Sequence, residues 1–463
     1  MNDSGQKFRY PDEIKPLLLE TGDLIFEDGT SVTGEQIWDF MTVEGPRRFP
    51  YAYKKNLSFG AQFSDDFTFM SGIRSNYLAL TFFDRVNKLV SHGKPLVLVQ
   101  GGMTSDLYYA AGCIPVWPMF LQRWIVNTKD GREFKEATVI ESSLLEKAKS
   151  TLASECCNLI SYLGLLKTEQ LPISAIAPCL TSRCSDMVYA VEDFKAKTDA
   201  IPTFIMDYPS NYDEGECRVE YLKEEIHLFM KKLTDISGKE VTDTSFLDEI
   251  KRHNHARRLA RECQKIWWKA KVPPTCSTDN LFAHLALMGS FDYTVANQIL
   301  EGARDEIKKR VQDGVKGQGL IDDPARLFIC GSCACANGNF IDKKGGVIVG
   351  NEDLWSSISE DVKETGDPYD NLAVALSHLP YEKPTEERAE WTSKQIQESR
   401  ADGVLFVFNW GCNYQSAIAG MMTDIIKNET GLPAMSMEVG ELTRMESIEQ
   451  SQNRVEAFIE MLH

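Results

Sequence analysis

Two rhythms of apolar residues alternate along most of this chain. Short, mainly apolar runs fall at 95–99, 173–177, 201–207, 326–330, 347–349, 404–408 and 433–438, and each predicts a buried strand. Between them apolar residues recur at helical spacing over 76–89, 142–165, 185–195, 384–399, 414–427 and from about 447. Thr104-Ser105 offers a helix start that ends at Gly112, and Gly431-Leu-Pro433 stops one helix before the next strand. Short strands alternating with helices predict an α/β fold with two doubly wound parallel sheets of flavodoxin or Rossmann type. The first unit spans 91–215 and the second 325–463. Their similar layout fits a distant duplication. Residues 216–324 read as helix after helix, including an amphipathic run over 248–271 that carries Trp267-Trp268. Residues 1–90 read as a helical and irregular cap. Within it Glu44-Gly-Pro-Arg-Arg-Phe-Pro50 reads as a loop, and further on Pro115-Val-Trp-Pro118 breaks the pattern.

Several strands lead to cysteine. The run 326–330 ends in Cys330-Gly-Ser-Cys333-Ala-Cys335. The run at 97–99 leads through Gly101-Gly102 and a helix to Cys113. The run 173–177 leads to Cys179 and Cys184, and the run 404–408 to Asn409-Trp-Gly-Cys412. Ligand sites of open α/β sheets lie at the carboxyl ends of the strands. Soft thiolates gathered there suggest an iron–sulfur centre more than zinc or a set of disulfides. Cys330 lies inside its strand, which predicts a core residue. Cys217, Cys263 and Cys276 stand far from any strand end and read as buried thiols.

Composition narrows the setting. Fifty Lys and Arg against 68 Asp and Glu give a net charge of −18, which argues against nucleic-acid binding. No apolar run is long enough to span a membrane, and the polar N-terminus carries no signal-peptide core. The expectation is a cytoplasmic protein, in which twelve cysteines are reduced thiols or metal ligands.

Common catalytic fingerprints are absent. There is no Walker A motif, no G-x-G-x-x-G after a strand, no G-x-S-x-G and no H-E-x-x-H. Zinc modules favour closely paired cysteines, whereas these thiols are dispersed. His253 and His255 stand two apart on a predicted helix and do not share a face, so they read as solvated or capping histidines.

Motifs along 91–463 resemble those of the 2-hydroxyacyl-CoA dehydratase and benzoyl-CoA reductase superfamily. They are Leu107-Tyr-Tyr-Ala-Ala-Gly-Cys-Ile-Pro-Val116, Cys156-Cys-Asn-Leu-Ile-Ser-Tyr-Leu-Gly164, Cys184-Ser-Asp186 with the following Asp207-Tyr-Pro209, and Gly411-Cys-Asn413 with Thr430-Gly-Leu-Pro433 and Asn453-Arg454. The resemblance implies that Cys157, Cys184 and Cys412 hold one [4Fe–4S] cubane with one iron left open. Cys156 competes with Cys157 for that role, and Cys179 with Cys184. Further thiols at Cys113, Cys333 and Cys335 make the chain most similar to the double-cubane branch, in which six cysteines hold an [8Fe–9S] cluster.

The same resemblance implies an ATP-dependent enzyme in which hydrolysis occurs on a separate iron–sulfur activator. That partner would deliver low-potential electrons to this chain, which would reduce a small unsaturated substrate. The double-cubane reading carries a homodimer with it. The alternative is a subunit of an (R)-2-hydroxyacyl-CoA dehydratase or benzoyl-CoA reductase with a single cubane, paired with a homologous chain. Tyr414, Gln415, Ser332, Asn337 and Asn409 share the cysteine loops and are candidates for orienting substrate, against a plain loop-capping role. Glu438 and Glu441 follow a strand end and are candidate proton donors, against the reading as solvated carboxylates. No catalytic residue is assigned.

Overall fold

A computed structural model describes residues 10–49, 53, 66–99, 105–116, 163, 172–181, 185–197, 201–209, 216–279, 292–331, 338–409, 412–439 and 448–463. The amino-terminal segment folds as α1 (Ile14–Thr21), a two-stranded antiparallel ribbon β1 (Leu24–Ile25) and β2 (Ser31–Val32), and α2 (Gly34–Asp39). Thr33 and Gln36 close a reciprocal capping box at the start of α2. A π turn over Phe40–Glu44 then runs into a short helical turn α3 (Gly45–Arg48), where the prolines and glycine predict a loop. Pro46 is tolerated there because the first turn needs no N–H from it. The long α4 (Met70–Ser91) leads into the first sheet.

In that sheet β3 (Leu96–Leu98) is central. It pairs in parallel with β4 (Ile114–Val116) on one side and β5 (Ala175–Ile176) on the other. The short α5 (Ser105–Ala110) connects β3 to β4. Pro115 obscures β4 in the sequence, but β4 is an edge strand of this sheet, where a missing N–H costs little. Beyond β5, the strand β6 (Cys179–Thr181) and α6 (Ser185–Lys197) are followed by β7 (Met206–Tyr208), which pairs in parallel with β6. A parallel bridge from Ile176 to Thr203 links the two pieces.

Among the described residues three helices follow: α7 (Glu216–Ser237), α8 (Asp243–Lys269) and α9 (Tyr293–Asp313). The 27-residue α8 is the spine of the molecule. Its apolar stripe buries Phe246, Ile250, Leu259, Trp267 and Trp268. Helix α9 carries the amino-terminal segment. Gln298 exchanges hydrogen bonds with the backbone of Ile25, and Glu306 accepts the N–H groups of Met70 and Ser71 at the open start of α4.

The second sheet is fully parallel, in the order β11 (Ala434–Val439), β10 (Gly403–Asn409), β8 (Ala325–Cys330), β9 (Gly346–Asn351). Around it lie α10 (Gly338–Lys343), α11 (Glu352–Ile358), α12 (Pro368–Ser377), α13 (Thr385–Ser399), α14 (Asn413–Thr430) and α15 (Ile448–Leu462). Helices cover both faces, so both faces of β8 are buried. Leu327 and Ile329 join a small core with Phe458 and Ile459, while Phe328 and Cys330 join the large core that continues to the first sheet. Two parallel sheets flanked by helices are the α/β architecture expected from the apolar pattern. Among the described residues no helix is long and apolar enough to cross a membrane.

Candidate functional site

Three strands of the second sheet deliver their carboxyl ends to one place. Strand β8 ends at Cys330-Gly331, β9 at Asn351, and β10 at Asn409, shortly before Cys412. Gly331 has φ of +90°, and a Cβ there would lie 2.1 Å from the Val407 carbonyl oxygen of β10. Only glycine fits so close to a neighbouring strand with that backbone. Cys412 is the N-cap of the 18-residue α14, and its carbonyl accepts the Ser416 N–H. A helix amino terminus favours negative charge and hence a thiolate ligand. Cys412 is only partly buried.

A buried ion pair lies under these strand ends. Glu352, the first residue of α11, accepts the Gly331 N–H at 3.0 Å. The same carboxylate takes two hydrogen bonds from Arg388 of α13, at 2.7 and 2.8 Å, and one from the Thr392 hydroxyl at 2.8 Å. Neither charged side chain is exposed. Burial alone would raise the Glu352 carboxyl, but Arg388 and the hydrogen bonds outweigh it and hold it below its usual range. The guanidinium also lies over the Tyr381 ring at 3.8 Å and reaches the Tyr414 hydroxyl at 3.4 Å. Gln415 donates to the Tyr381 hydroxyl. The neighbouring Asp353 has no such compensation. Burial first, then the Glu352 and Glu382 charges, push its carboxyl up to about 7 against the pull of Arg388.

The structure distributes the cysteines unevenly. Cys412 stands at the carboxyl edge as its position in the sequence implies. Cys330 is fully buried in β8, and burial with the adjacent Glu352 charge pushes its thiol well up, as befits a core residue. Cys113 stands apart from the strand ends of the first sheet. It precedes β4, its N–H bonds to Tyr108 O, and Ile114 beside it bonds to Pro95 O ahead of β3. Helix α5 has therefore carried the chain back to the amino edge of a parallel sheet, about 10–13 Å from the carboxyl ends. There burial pushes its thiol to about 12, with Lys239 pulling the other way. Cys113 therefore lies at the amino edge of its own sheet, not beyond a strand end. Cys179 begins β6 and is buried. Cys156, Cys157, Cys184, Cys333 and Cys335 lie outside the described residues, as do Ser332, Asn337 and Glu441. Of the distant thiols, Cys263 and Cys276 are buried as expected, but Cys217 is exposed near the start of α7.

Sequence reasoning passed over His253. It is not solvated. Its Nδ1 lies 3.4 Å from Asp106 Oδ2 and 3.0 Å from the Arg257 guanidinium, which itself reaches Asp106 at 3.4 Å. All three side chains are fully buried, and Tyr293 stacks on the His253 ring with centroids 4.3 Å apart. His255, two residues on, pairs with Glu301 at the surface. The usable signal was the i, i+4 spacing of His253 and Arg257 on a predicted helix.

With this geometry in hand, comparison with known proteins is informative. The family model for the D-component of 2-hydroxyglutaryl-CoA dehydratase matches residues 102–462. The chain is 22% identical over 406 residues to the beta subunit of (R)-phenyllactyl-CoA dehydratase from Clostridium sporogenes, covering 82% of this chain and 98% of that protein. It is 21% identical over 324 residues to the alpha subunit of the same enzyme, covering 67% and 75%. It is 22% identical over 247 residues to one of the subunits of benzoyl-CoA reductase from Thauera aromatica, covering 51% and 61%. The match begins just after β3 and takes in the rest of the first sheet, the helices that follow and the whole second sheet, and the chain belongs to the 2-hydroxyglutaryl-CoA dehydratase D-component family.

Proposed function

We propose that this chain is an iron–sulfur enzyme component that accepts low-potential electrons from a separate ATP-hydrolysing partner and uses them on a small unsaturated or acyl-CoA substrate. The observation that carries the reading is the position of Cys412, at the junction of a parallel strand end and a helix amino terminus, where a thiolate ligand is favoured. Cys157, Cys184 and Cys412 would hold a [4Fe–4S] cubane, which when bound supplies one-electron chemistry and an open iron. Cys333 and Cys335, two and four residues beyond Gly331, would contribute to a second cubane.

This chain's own residues then have defined tasks. Glu352 and Arg388 are a buried, charge-compensated pair that holds Gly331 and the Tyr414 hydroxyl at the first turn of α14. Tyr414 and Gln415, on the first turn of α14, orient polar groups beside Cys412. Asp353, next to Glu352 on α11 and with its carboxyl raised to about 7 chiefly by burial, is a candidate for passing a proton. Glu438 is exposed near the end of β11.

The subunit reading gains from the alignment with a dehydratase beta subunit, 98% of which is covered, while Cys113 would complete the second cubane in the double-cubane reading. Iron and acid-labile sulfide per chain, on anaerobically purified protein, decide between the two. About eight irons, falling toward four in Cys333→Ala/Cys335→Ala, supports the double cubane. About four irons, unchanged by that double substitution but lost with Cys412→Ala, supports the dehydratase-type subunit. Bound zinc in place of iron would sink the iron–sulfur reading.

A further inference from the structure

Resting on the cluster reading above, we infer that Glu352 is a positioning residue, and that its pairing with Arg388 fixes Gly331, from which the chain leaves toward Cys333 and Cys335, relative to the first turn of α14 beside Cys412. The cysteine loops leave from different strands and share no sequence. Their roots share one carboxylate. From β8, the Gly331 N–H is bonded to Glu352 Oε2. Next to Cys412, Tyr414 places its hydroxyl against the guanidinium that grips both oxygens of Glu352. Thr392 adds a further donor to Oε1. Gly331 is also pressed onto Val407, two residues before β10 ends.

A surface pair could not do this work. Exposed ion pairs are weak and mobile, whereas a buried, multiply bonded pair holds one geometry because any loosening strands a charge in the core. Hydrophobic residues of the same volume would fill the space without tying Gly331 to α14. The pair also sits where a redox group would feel it. Its two charges cancel, so removing one leaves a bare charge of known sign close to Cys412 and Gly331.

The test uses the full chain, metal-free and as isolated anaerobically, with alkylation of each cysteine by iodoacetamide followed by mass spectrometry. Glu352→Gln keeps the shape but loses the charge-assisted bonds, which shifts a local opening by about tenfold or more. The expected result in metal-free protein is a matching rise in the alkylation rates of Cys412 and at least one of Cys333 and Cys335, with Cys263 and Cys276 still protected. Glu352→Gln/Arg388→Met removes the stranded guanidinium and guards against mere unfolding. It should regain thermal stability yet keep the fast alkylation. In the iron-loaded protein, Glu352→Gln should move the reduction midpoint to more positive values and the double variant should move it back. Rates unchanged within about twofold for all three loop thiols would overturn the inference, as would acceleration that spreads to Cys263 and Cys276 in both variants. Wild-type protein without iron would count against the cluster reading and leave the alkylation result to judge the positioning role.

Discussion

Asp106 Oδ2 and His253 Nδ1 lie 3.4 Å apart, and neither side chain has any solvent exposure. Asp106 belongs to the helix behind the first sheet and His253 to α8, so this relationship joins two parts of the chain through a dry polar contact. Burial by itself would raise the Asp106 carboxyl, yet His253 and Arg257 outweigh it and hold it below its usual value.

Asp106→Asn should therefore destabilise the protein strongly, by about 3–5 kcal/mol, because it leaves Arg257 buried without its counter-charge. Urea unfolding checks this. The pH dependence has a defined sign. A carboxyl with a lowered folded value adds stability that is fully present above its unfolded value, 3.8, and is lost as pH falls through the folded one. The difference between wild type and Asp106→Asn should thus shrink below pH of about 4.

Glu249 behaves in the opposite sense. Burial, ahead of the Arg252 charge that opposes it, raises its carboxyl from 4.5 to about 7. Between those values the folded chain holds a proton that the unfolded chain has released, so stability falls as pH rises across that window. Glu249→Gln should flatten the dependence and stabilise the protein by about 1–2 kcal/mol at pH 8, net of its lost bond to Arg252. Thermal melts from pH 4.5 to 8 would reveal it.

Cys113→Ala tests whether a thiol at the amino edge of the first sheet takes part in the ligand set. The substitution should leave the iron content of the isolated protein unchanged and cost about 1–2 kcal/mol through lost packing. Iron falling by several atoms per chain would place Cys113 in the ligand set.

Gly331→Ala should be among the most damaging single substitutions in the chain. The backbone at φ +90° and the 2.1 Å approach of a Cβ to Val407 O leave no relaxed position. A loss of about 3 kcal/mol or more, with displacement of the following cysteine loop, is expected. Unfolding midpoints together with iron content would register both effects.

Much of the architecture was legible because buried parallel strands are written as plain apolar runs. The runs 326–330 and 404–408 correspond to β8 and β10 almost residue for residue. Strand β4 was hidden because Pro115 ordinarily signals a break, and only its place at a sheet edge makes it tolerable. Cys113 was hard to place for a related reason. Its position after a strand and a helix gives no clue to which edge it occupies until the crossover is followed back to Pro95. The polar network at His253 and the pair of Glu352 with Arg388 were illegible because their partners are remote. Arg257 and Asp106 are 151 residues apart, and Arg388 sits in Thr385-Glu-Glu-Arg-Ala-Glu-Trp391, which reads as an exposed charged helix.

Helix α8 grips the two sheets in chemically different ways. Toward the first sheet it uses the desolvated trio of Asp106, His253 and Arg257. Toward the second it uses Arg258 and Arg261, whose partly exposed side chains meet Asp361 and Glu364 at 2.6–2.9 Å, beside the buried bond from Trp268 to Val349 O. Added salt screens exposed charges and barely reaches dry ones. Ionic strength therefore acts on this molecule as a one-sided solvent, weakening the arginine pairs at 361–364 while the buried bonds of Asn254 to Val362 and the hold on α5 stay fast.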